Sequence, residues 1–285
     1  MKPVPGWPPH RVADGIVLAV TAEEGLLKHL TLTLAALSAA TLATASAFAQ
    51  EMPPRWGLGL GTVISANPYA GRGTRVTPFP LITYDSERLF FRGITGGVHL
   101  YENDWLELDG IVQARLDGFD ADDLGVPELA ENGINRDLLE DRDDSLDAGF
   151  TAEIEGRYGE IELRVLADVT GASEGFEASF EYGYPIELTK NLTLTPQAGV
   201  SWMSKDMTQY YYGTLDEEVA RGVRLYRPDA AAIPEIGIGL EYQFAKRWMV
   251  IGNVSYKSLP SEIGDSPLLE SDHSASVLIG VLRAF

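Results

Sequence analysis

Two histidines, His99 and His273, are the only ones beyond residue 49, and they set the ceiling on acid–base chemistry. A Ser-His-acid arrangement needs a serine within hydrogen-bond reach of one of them. Ser274 follows His273, but neighbours on a strand point to opposite faces, so both histidines read as interface or loop residues. Cysteine is absent, which removes thiol nucleophiles, disulfides and Cys-based metal sites. There is no HExxH helix and no glycine-rich phosphate loop. The expectation is therefore a non-enzyme with no catalytic residue, no cofactor and no dedicated metal site; an enzyme acting on lipid would rest on His99 and His273 alone.

Carboxylates are the abundant chemistry. Asp120-Ala121-Asp122-Asp123-Leu124-Gly125, with Glu131 closing the span, imitates a calcium-binding EF-hand loop. Leu124 stands where Asp or Asn belongs, Pro127 interrupts the loop, and no flanking helices are apparent. The segment reads as an acidic, solvated loop, with loose divalent-cation binding across residues 117–144 as the alternative. The formal net charge is −20, and residues 1–49 contribute nothing to it, because Lys2, Arg11 and Lys28 balance Asp14, Glu23 and Glu24. Nucleic acid is excluded as a partner, since phosphate contacts need clustered Lys and Arg.

The elements that position these acids alternate with period two. Residues 176–188 place Phe176, Ala178, Phe180, Tyr182, Tyr184, Ile186 and Leu188 on one face and Glu177, Ser179, Glu181 and Glu187 on the other. Residues 159–169, 192–202 and 233–244 repeat the pattern. Such alternation makes strands with one apolar and one polar face. Soluble strands average about five or six residues, whereas these run to roughly ten or more, near the nine to eleven that cross a bilayer when tilted. In lipid a sheet must close on itself, because an open edge leaves backbone groups unpaired. The fold class expected is all-β: a closed antiparallel transmembrane barrel of twelve strands, with ten as the alternative, over residues 50–285. Candidate strands at 55–65, 76–85 and 88–101 are less regular, and Gly93, Gly96 and Gly97 suggest that the last bends or splits.

Residues 30–49 are an apolar Leu/Ala/Thr run after Lys28, ending in Ala47-Phe48-Ala49 before Gln50. This is a cleavable secretory signal, so residues 1–49 are read as signal peptide with an upstream extension. Mean hydropathy is −0.05, far below that of a helical membrane protein. Counting back from the aromatic Phe285, connections alternate long (259–272, 206–231, 118–144) and short, which places long loops outside and tight turns in the periplasm. Trp105 and Trp248 follow tight turns and fit an interfacial girdle. Localisation is expected in the cell outer membrane, with lipid and lipopolysaccharide as surroundings.

Alternation then assigns Glu153, Glu155, Glu162, Asp168, Glu177, Glu181, Glu235 and Glu241 to the lumen, along with Glu107, Asp109, Asp147 and Glu187, and with Arg115, Arg157 and Arg164 among them. One reading is a cation-favouring pore or small-solute channel. The other is a filled lumen braced by Arg–carboxylate networks, preferred because ten to twelve strands enclose little space.

Residues Asn67-Pro68-Tyr69, Pro78-Phe79-Pro80-Leu81-Ile82-Thr83-Tyr84, Tyr210-Tyr211-Tyr212-Gly213, Glu217-Glu218-Val219-Ala220, Tyr226-Arg227-Pro228, Gly237–Tyr242, Trp248–Leu259 and Ile263-Gly264-Asp265-Ser266-Pro267-Leu268 resemble, in order and spacing, the MipA/OmpV family of outer-membrane proteins. The resemblance spans 54–285. One departure is Arg283 near the end, where the family prefers an aromatic or apolar residue. The resemblance implies a non-enzymatic envelope scaffold that contacts a periplasmic murein hydrolase and synthase; a surface adhesion or ligand-binding barrel is a further alternative. It carries no established residue-level site. Tyr210, Tyr211, Tyr212, Gly213, Asp265, Ser266 and Pro267 fall in or beside external loops, which sits awkwardly with a periplasmic murein partner; folding inward as a plug is the alternative.

Overall fold

The chain's structure, a computed structural model, describes residues 55–285. The expected signal peptide at 1–49 lies outside the described residues. Thirteen strand segments run antiparallel: β1 (Trp56–Ala66), β2 (Thr74–Asp85), β3 (Leu89–Arg92), β4 (Thr95–Glu102), β5 (Leu106–Arg115), β6 (Ser145–Gly156), β7 (Gly159–Asp168), β8 (Phe176–Gly183), β9 (Ile186–Thr189), β10 (Leu192–Met203), β11 (Ala231–Ala245), β12 (Trp248–Ser258) and β13 (His273–Ala284). Successive strands pair, except that β8 and β9 both pair with β10; β13 returns to β1, and β10 pairs with β11, so the sheet is closed. The segment expected as one strand over 176–188 is interrupted at Tyr184-Pro185, where proline lacks the N–H that a ladder needs. Its two halves, β8 and β9, both pair with β10 and act as one stave. The barrel therefore has twelve staves.

The irregular stretch 88–101 splits as a hairpin. Gly93 takes a φ of 62°, a left-handed value that favours glycine, and starts the turn into β4. β3 is only four residues long, so the wall is low here. It pairs with β2 only from Thr83 to Asp85, continued by Gly93 N–H to the Ile82 carbonyl at 3.0 Å. Between Thr74 and Leu81, no other strand of the described residues pairs with this side of β2. Backbone direction alternates along a strand, so Pro78 and Pro80 turn the same way as Ile82. Their missing N–H groups face the unpaired edge, the place where a strand tolerates proline.

One end of the barrel has tight connections at 86–88, 103–105, 157–158, 190–191 and 246–247; the other carries 67–73, 116–144, 169–175, 204–230 and 259–272. The outward faces are apolar: Leu60, Val76, Phe150, Val165, Ile236 and Val254 are all more than half exposed, as lipid-facing residues must be. Trp105 and Trp248 point outward beside the tight turns. Arg283 also points outward there, with its guanidinium 5.7 Å from the Trp248 ring and 4.7 Å from the Phe285 ring. It can snorkel to headgroups between two interfacial aromatics, so its departure from an apolar residue fits the site.

Inside, residues divide by side. Val63, Leu81, Ile251, Leu278 and Leu282 form an apolar cluster on β1, β2, β12 and β13. The facing wall, β3 to β11, carries the lumen acids. At the external end the long loops build a second core of their own.

Candidate functional site

The external loops carry four short helices: α1 (Val126–Glu131), α2 (Lys205–Tyr212), α3 (Asp216–Ala220) and α4 (Ser261–Gly264). They fold over the mouth around Tyr69, Phe119, Leu129, Met207, Tyr211 and Leu268, all buried. Three loops meet at α2. Tyr69 donates its hydroxyl to the Tyr211 carbonyl at 2.9 Å, and its ring stacks on Tyr212 at 5.9 Å. Ser266 Oγ donates to the Tyr212 carbonyl at 2.6 Å. Asn132 Nδ2 donates to the carbonyls of Pro267 (3.0 Å) and Leu269 (2.9 Å). Arg142 and Glu218 are both fully buried and bond at 2.9 and 3.1 Å, tying the 116–144 loop to the 204–230 loop. Gly213 ends α2 where a Cβ would lie 2.5 Å from the Gln209 carbonyl oxygen, so only glycine fits. Burial raises the Tyr211 and Tyr212 hydroxyls above their ordinary range, and both stay neutral in the cap.

Beneath the cap lies a cavity of about 140 Å³ whose lining includes Asn67, Tyr69, Arg115, Glu177, Tyr212 and Lys257. Arg115 is the hub of this layer: Nε donates to Asp147 at 2.7 Å, and Nη1 to Asp117 at 2.8 Å and Glu177 at 3.2 Å.

Below it the lumen acids stand in a row. Cross-strand register makes Glu107, Glu153, Glu162 and Glu181 successive partners, then Gly199, Glu235 and Lys257. Strand tilt turns this register line into an oblique track, from the periplasmic end of β5 to the external end of β12. Arg164 bonds Glu162 at 2.6 Å, and Lys257 lies 3.5 Å from Glu235. Smaller voids of about 40 Å³ and 60 Å³ flank the track.

At the foot of the track His99 enters the lumen from β4. Its Nδ1 lies 2.9 Å from Asp109 Oδ1 and 3.1 Å from Glu107 Oε1, and its Nε2 lies 3.6 Å from Asp85 Oδ1. A shift in register between His99 and Tyr101 sets this crowding, since the extra residue lets His99 face both carboxylates.

Residues 58–285 match the family described as MltA-interacting protein MipA. The chain belongs to that family. It is 28% identical over 252 residues to the MltA-interacting protein of Escherichia coli (strain K12), covering 87% of this chain and 98% of the relative. The putative outer membrane protein YiaT of the same organism is 27% identical over 245 residues, covering 85% and 94%. The outer membrane protein OmpV of Vibrio cholerae matches over 133 residues at 27% identity, covering 47% of this chain and 51% of its own. Among solved structures, the NanC porin is 9% identical with a TM-score of 0.46, covering 80% of this chain and all of that one; at that likeness it carries no argument about what the barrel does. This MipA-family chain is an outer-membrane β-barrel.

The motifs that resemble the family, distant in sequence, come together in the cap. Asn67–Tyr69, Tyr210–Gly213 and Ser266–Pro267 meet through the contacts above, while Asp265 stays exposed. Of the lumen acids, Glu153, Glu162, Glu181 and Glu235 lie on the track, Glu177 is paired to Arg115, Glu241 is buried nearer the periplasmic end, and Glu155 is exposed at the rim. Asp168 corrects the expectation. Its oxygens accept from Thr170, Gly171, Ser173 and Glu174 of the following loop, so it organises that loop instead of lining the track. The Asp120–Glu131 segment does not gather three carboxylates; Asp123 bonds Arg75 at 3.0 Å, and α1 begins inside the imagined loop. Alternation places Glu107 and Asp109 in the lumen but does not reveal that His99 joins them there. The signal was present: Glu107 and Asp109 share a face, and His99 lies across the tight turn from them.

Proposed function

We propose that this MipA-family barrel is a closed-mouth envelope scaffold that meets its protein partners from the periplasmic side. The observation that carries this reading is the cap: its own hydrophobic core, tied by the buried Arg142–Glu218 pair, folds over the external mouth above a cavity of about 140 Å³. A barrel so capped offers its rims and surface to partners more readily than a bore to solutes. The tight turns at 157–158, 190–191 and 246–247 carry exposed Arg157, Lys190, Lys246 and Arg247, whereas those at 86–88 and 103–105 carry exposed Glu87 and Asp104. The first three turns offer a partner one basic stretch of rim, which favours association with an acidic surface. Relatives carry the name MltA-interacting protein, and that name supports a murein-processing enzyme as the partner. Crosslinking from position 246 in intact envelopes tests this. Recovery of a murein transglycosylase or synthase, diminished by Lys246→Glu with Arg247→Glu, is the expected result; recovery of neither enzyme overturns it.

A second reading, a cation-favouring channel, draws on the track from Glu107 to Glu235. Carboxylates in register across a narrow lumen concentrate cations. It requires the cap to lift, and conductance in a planar bilayer separates the two readings.

A further inference from the structure

We propose that His99, Glu107 and Asp109 form a binding site for a first-row divalent metal ion of the zinc or manganese kind, at the foot of the lumen. One donor atom from each residue lies within 4.8 Å of the other two, and among the described residues this is the one such grouping. Around a tetrahedral ion with bonds of about 2.0–2.2 Å, neighbouring donors stand about 3.3–3.5 Å apart. The imidazole Nδ1 already stands 2.9 Å from Asp109 Oδ1 and 3.1 Å from Glu107 Oε1, so an ion requires the nitrogen to separate from each carboxylate by only a few tenths of an ångström.

The surroundings are those of a built site. Glu107 and Asp109 are two residues apart on β5 and project from one face, so the sheet holds both carboxylates in place. His99 packs its ring on Phe90 at 4.9 Å between centroids. Its other nitrogen faces Asp85, which Arg92 holds at 2.9 Å. A ligating histidine commonly gives its second nitrogen to such a carboxylate, which fixes the tautomer and strengthens the donor. Two carboxylates and a neutral imidazole match a dication in charge. The mixed nitrogen and oxygen donor set suits zinc or manganese better than calcium or magnesium, which take oxygen alone.

Independently of the donors, there is room for the remaining coordination positions. Glu107 and Asp109 line the void of about 40 Å³ together with Thr151, Glu153 and Glu162, and with Arg92 and Arg164, whose charges are offset by Asp85 at 2.9 Å and Glu162 at 2.6 Å. That space holds at least one water, so the geometry is three protein ligands with an open side facing polar groups. The site does not depend on whether the mouth is closed, and its test is separate from conductance.

The competing account of the same geometry is an imidazolium held between carboxylates, with no ion. Equilibrium dialysis of the refolded mature protein, stripped with chelator and exposed to Zn²⁺ or Mn²⁺, distinguishes the two, with folding checked by heat-dependent gel mobility. The expected result is one tightly held ion per chain, lost in His99→Ala and in Asp109→Asn. Asp85→Asn weakens it by roughly 10–100-fold, and Asp122→Asn with Asp123→Asn leaves it unchanged. Should the His99 variant fail to fold, Co²⁺ added to the unaltered protein reads the same site: absorption bands of a four-coordinate nitrogen–oxygen complex support it, and a hydrated-ion spectrum overturns it. Binding that persists in folded His99→Ala, or no stoichiometric ion in the unaltered protein, overturns the assignment.

Discussion

Arg142 directs all five of its N–H donors into the cap, two of them to Glu218. Nε bonds the Tyr210 carbonyl at 2.7 Å, Nη1 bonds the Glu140 carbonyl and Glu218 Oε1, and Nη2 bonds the Gly213 carbonyl and Glu218 Oε2. Glu218 also accepts from the Glu140 and Leu215 N–H groups. Neither side chain is exposed. A buried ion pair is stabilising only when its remaining hydrogen-bonding capacity is met, as it is here.

Removing one partner is therefore expected to open the cap without unfolding the barrel. Glu218→Ala leaves a buried guanidinium uncompensated, at a cost of about 3–5 kcal/mol. Limited proteolysis of folded protein checks this: cleavage within 116–144 and 204–230 accelerates while the strands stay protected. Arg142→Met combined with Glu218→Leu removes both charges and restores part of the resistance, since the Tyr210, Gly213 and Glu140 carbonyls and the Glu140 and Leu215 N–H groups still lose their partners. Unchanged cleavage in Glu218→Ala would show that the hydrophobic core alone holds the loops.

Gly213→Ala places a methyl 2.5 Å from the Gln209 carbonyl oxygen. Forcing an atom into that space costs about 1–3 kcal/mol. Gly156→Ala, where a Cβ meets nothing within 4 Å, is the control. Thermal unfolding and loop proteolysis both respond to the first substitution and not to the second.

Conductance isolates the cap from the track beneath it. The unaltered protein is expected to be silent in a planar bilayer, and replacing residues 205–228 with a short Gly-Ser bridge is expected to yield a small cation-favouring current. Glu162→Gln and Glu181→Gln in that background lower the cation preference. Steady current from the unaltered barrel would favour the channel reading over the scaffold.

The cap also carries a pH response. Asp144 accepts from the Gly118 N–H at 3.0 Å. Partial burial, with Asp117 and Asp143 nearby, pushes its pKa up to about 6. Part of the side chain still meets solvent, so screening damps the effect. A carboxyl whose folded pKa lies above its unfolded value binds its proton more tightly when folded, so it stabilises the fold as pH falls. That gain begins near pH 6 and is complete below the ordinary Asp value near 4. Cleavage of 116–144 by an acid-tolerant protease, corrected for the enzyme's own profile, is expected to slow between pH 7 and pH 5. Asp144→Asn flattens that change; an unchanged pH response in Asp144→Asn would exclude this carboxyl.

Strands were legible because bilayer thickness and the two-residue period act on local sequence. Phe176 through Tyr182 alternate whatever they pair with, and the tight turns at 190–191 and 246–247 announce themselves by length. Pro78 and Pro80 were visible too, but that they face an unpaired edge depends on β3 being four residues long, which only pairing shows. Asp168 has the parity of a lumen residue and is captured by its own loop, because a carboxylate at a strand end bonds the nearest backbone N–H groups.

The sequence by itself determined a closed antiparallel barrel with apolar outward faces, since alternation and strand length act locally; that 88–101 is a hairpin and that twelve staves, not ten, close the wall follows from strand pairing. The tertiary structure alone decided that Tyr69, Tyr211 and Ser266 meet in one cap, that Arg142 finds Glu218 from 76 residues away, and that His99 stands between Asp109 and Glu107. Those contacts depend on loop folding and on a bulge in register, which bring together residues whose local patterns say nothing of one another.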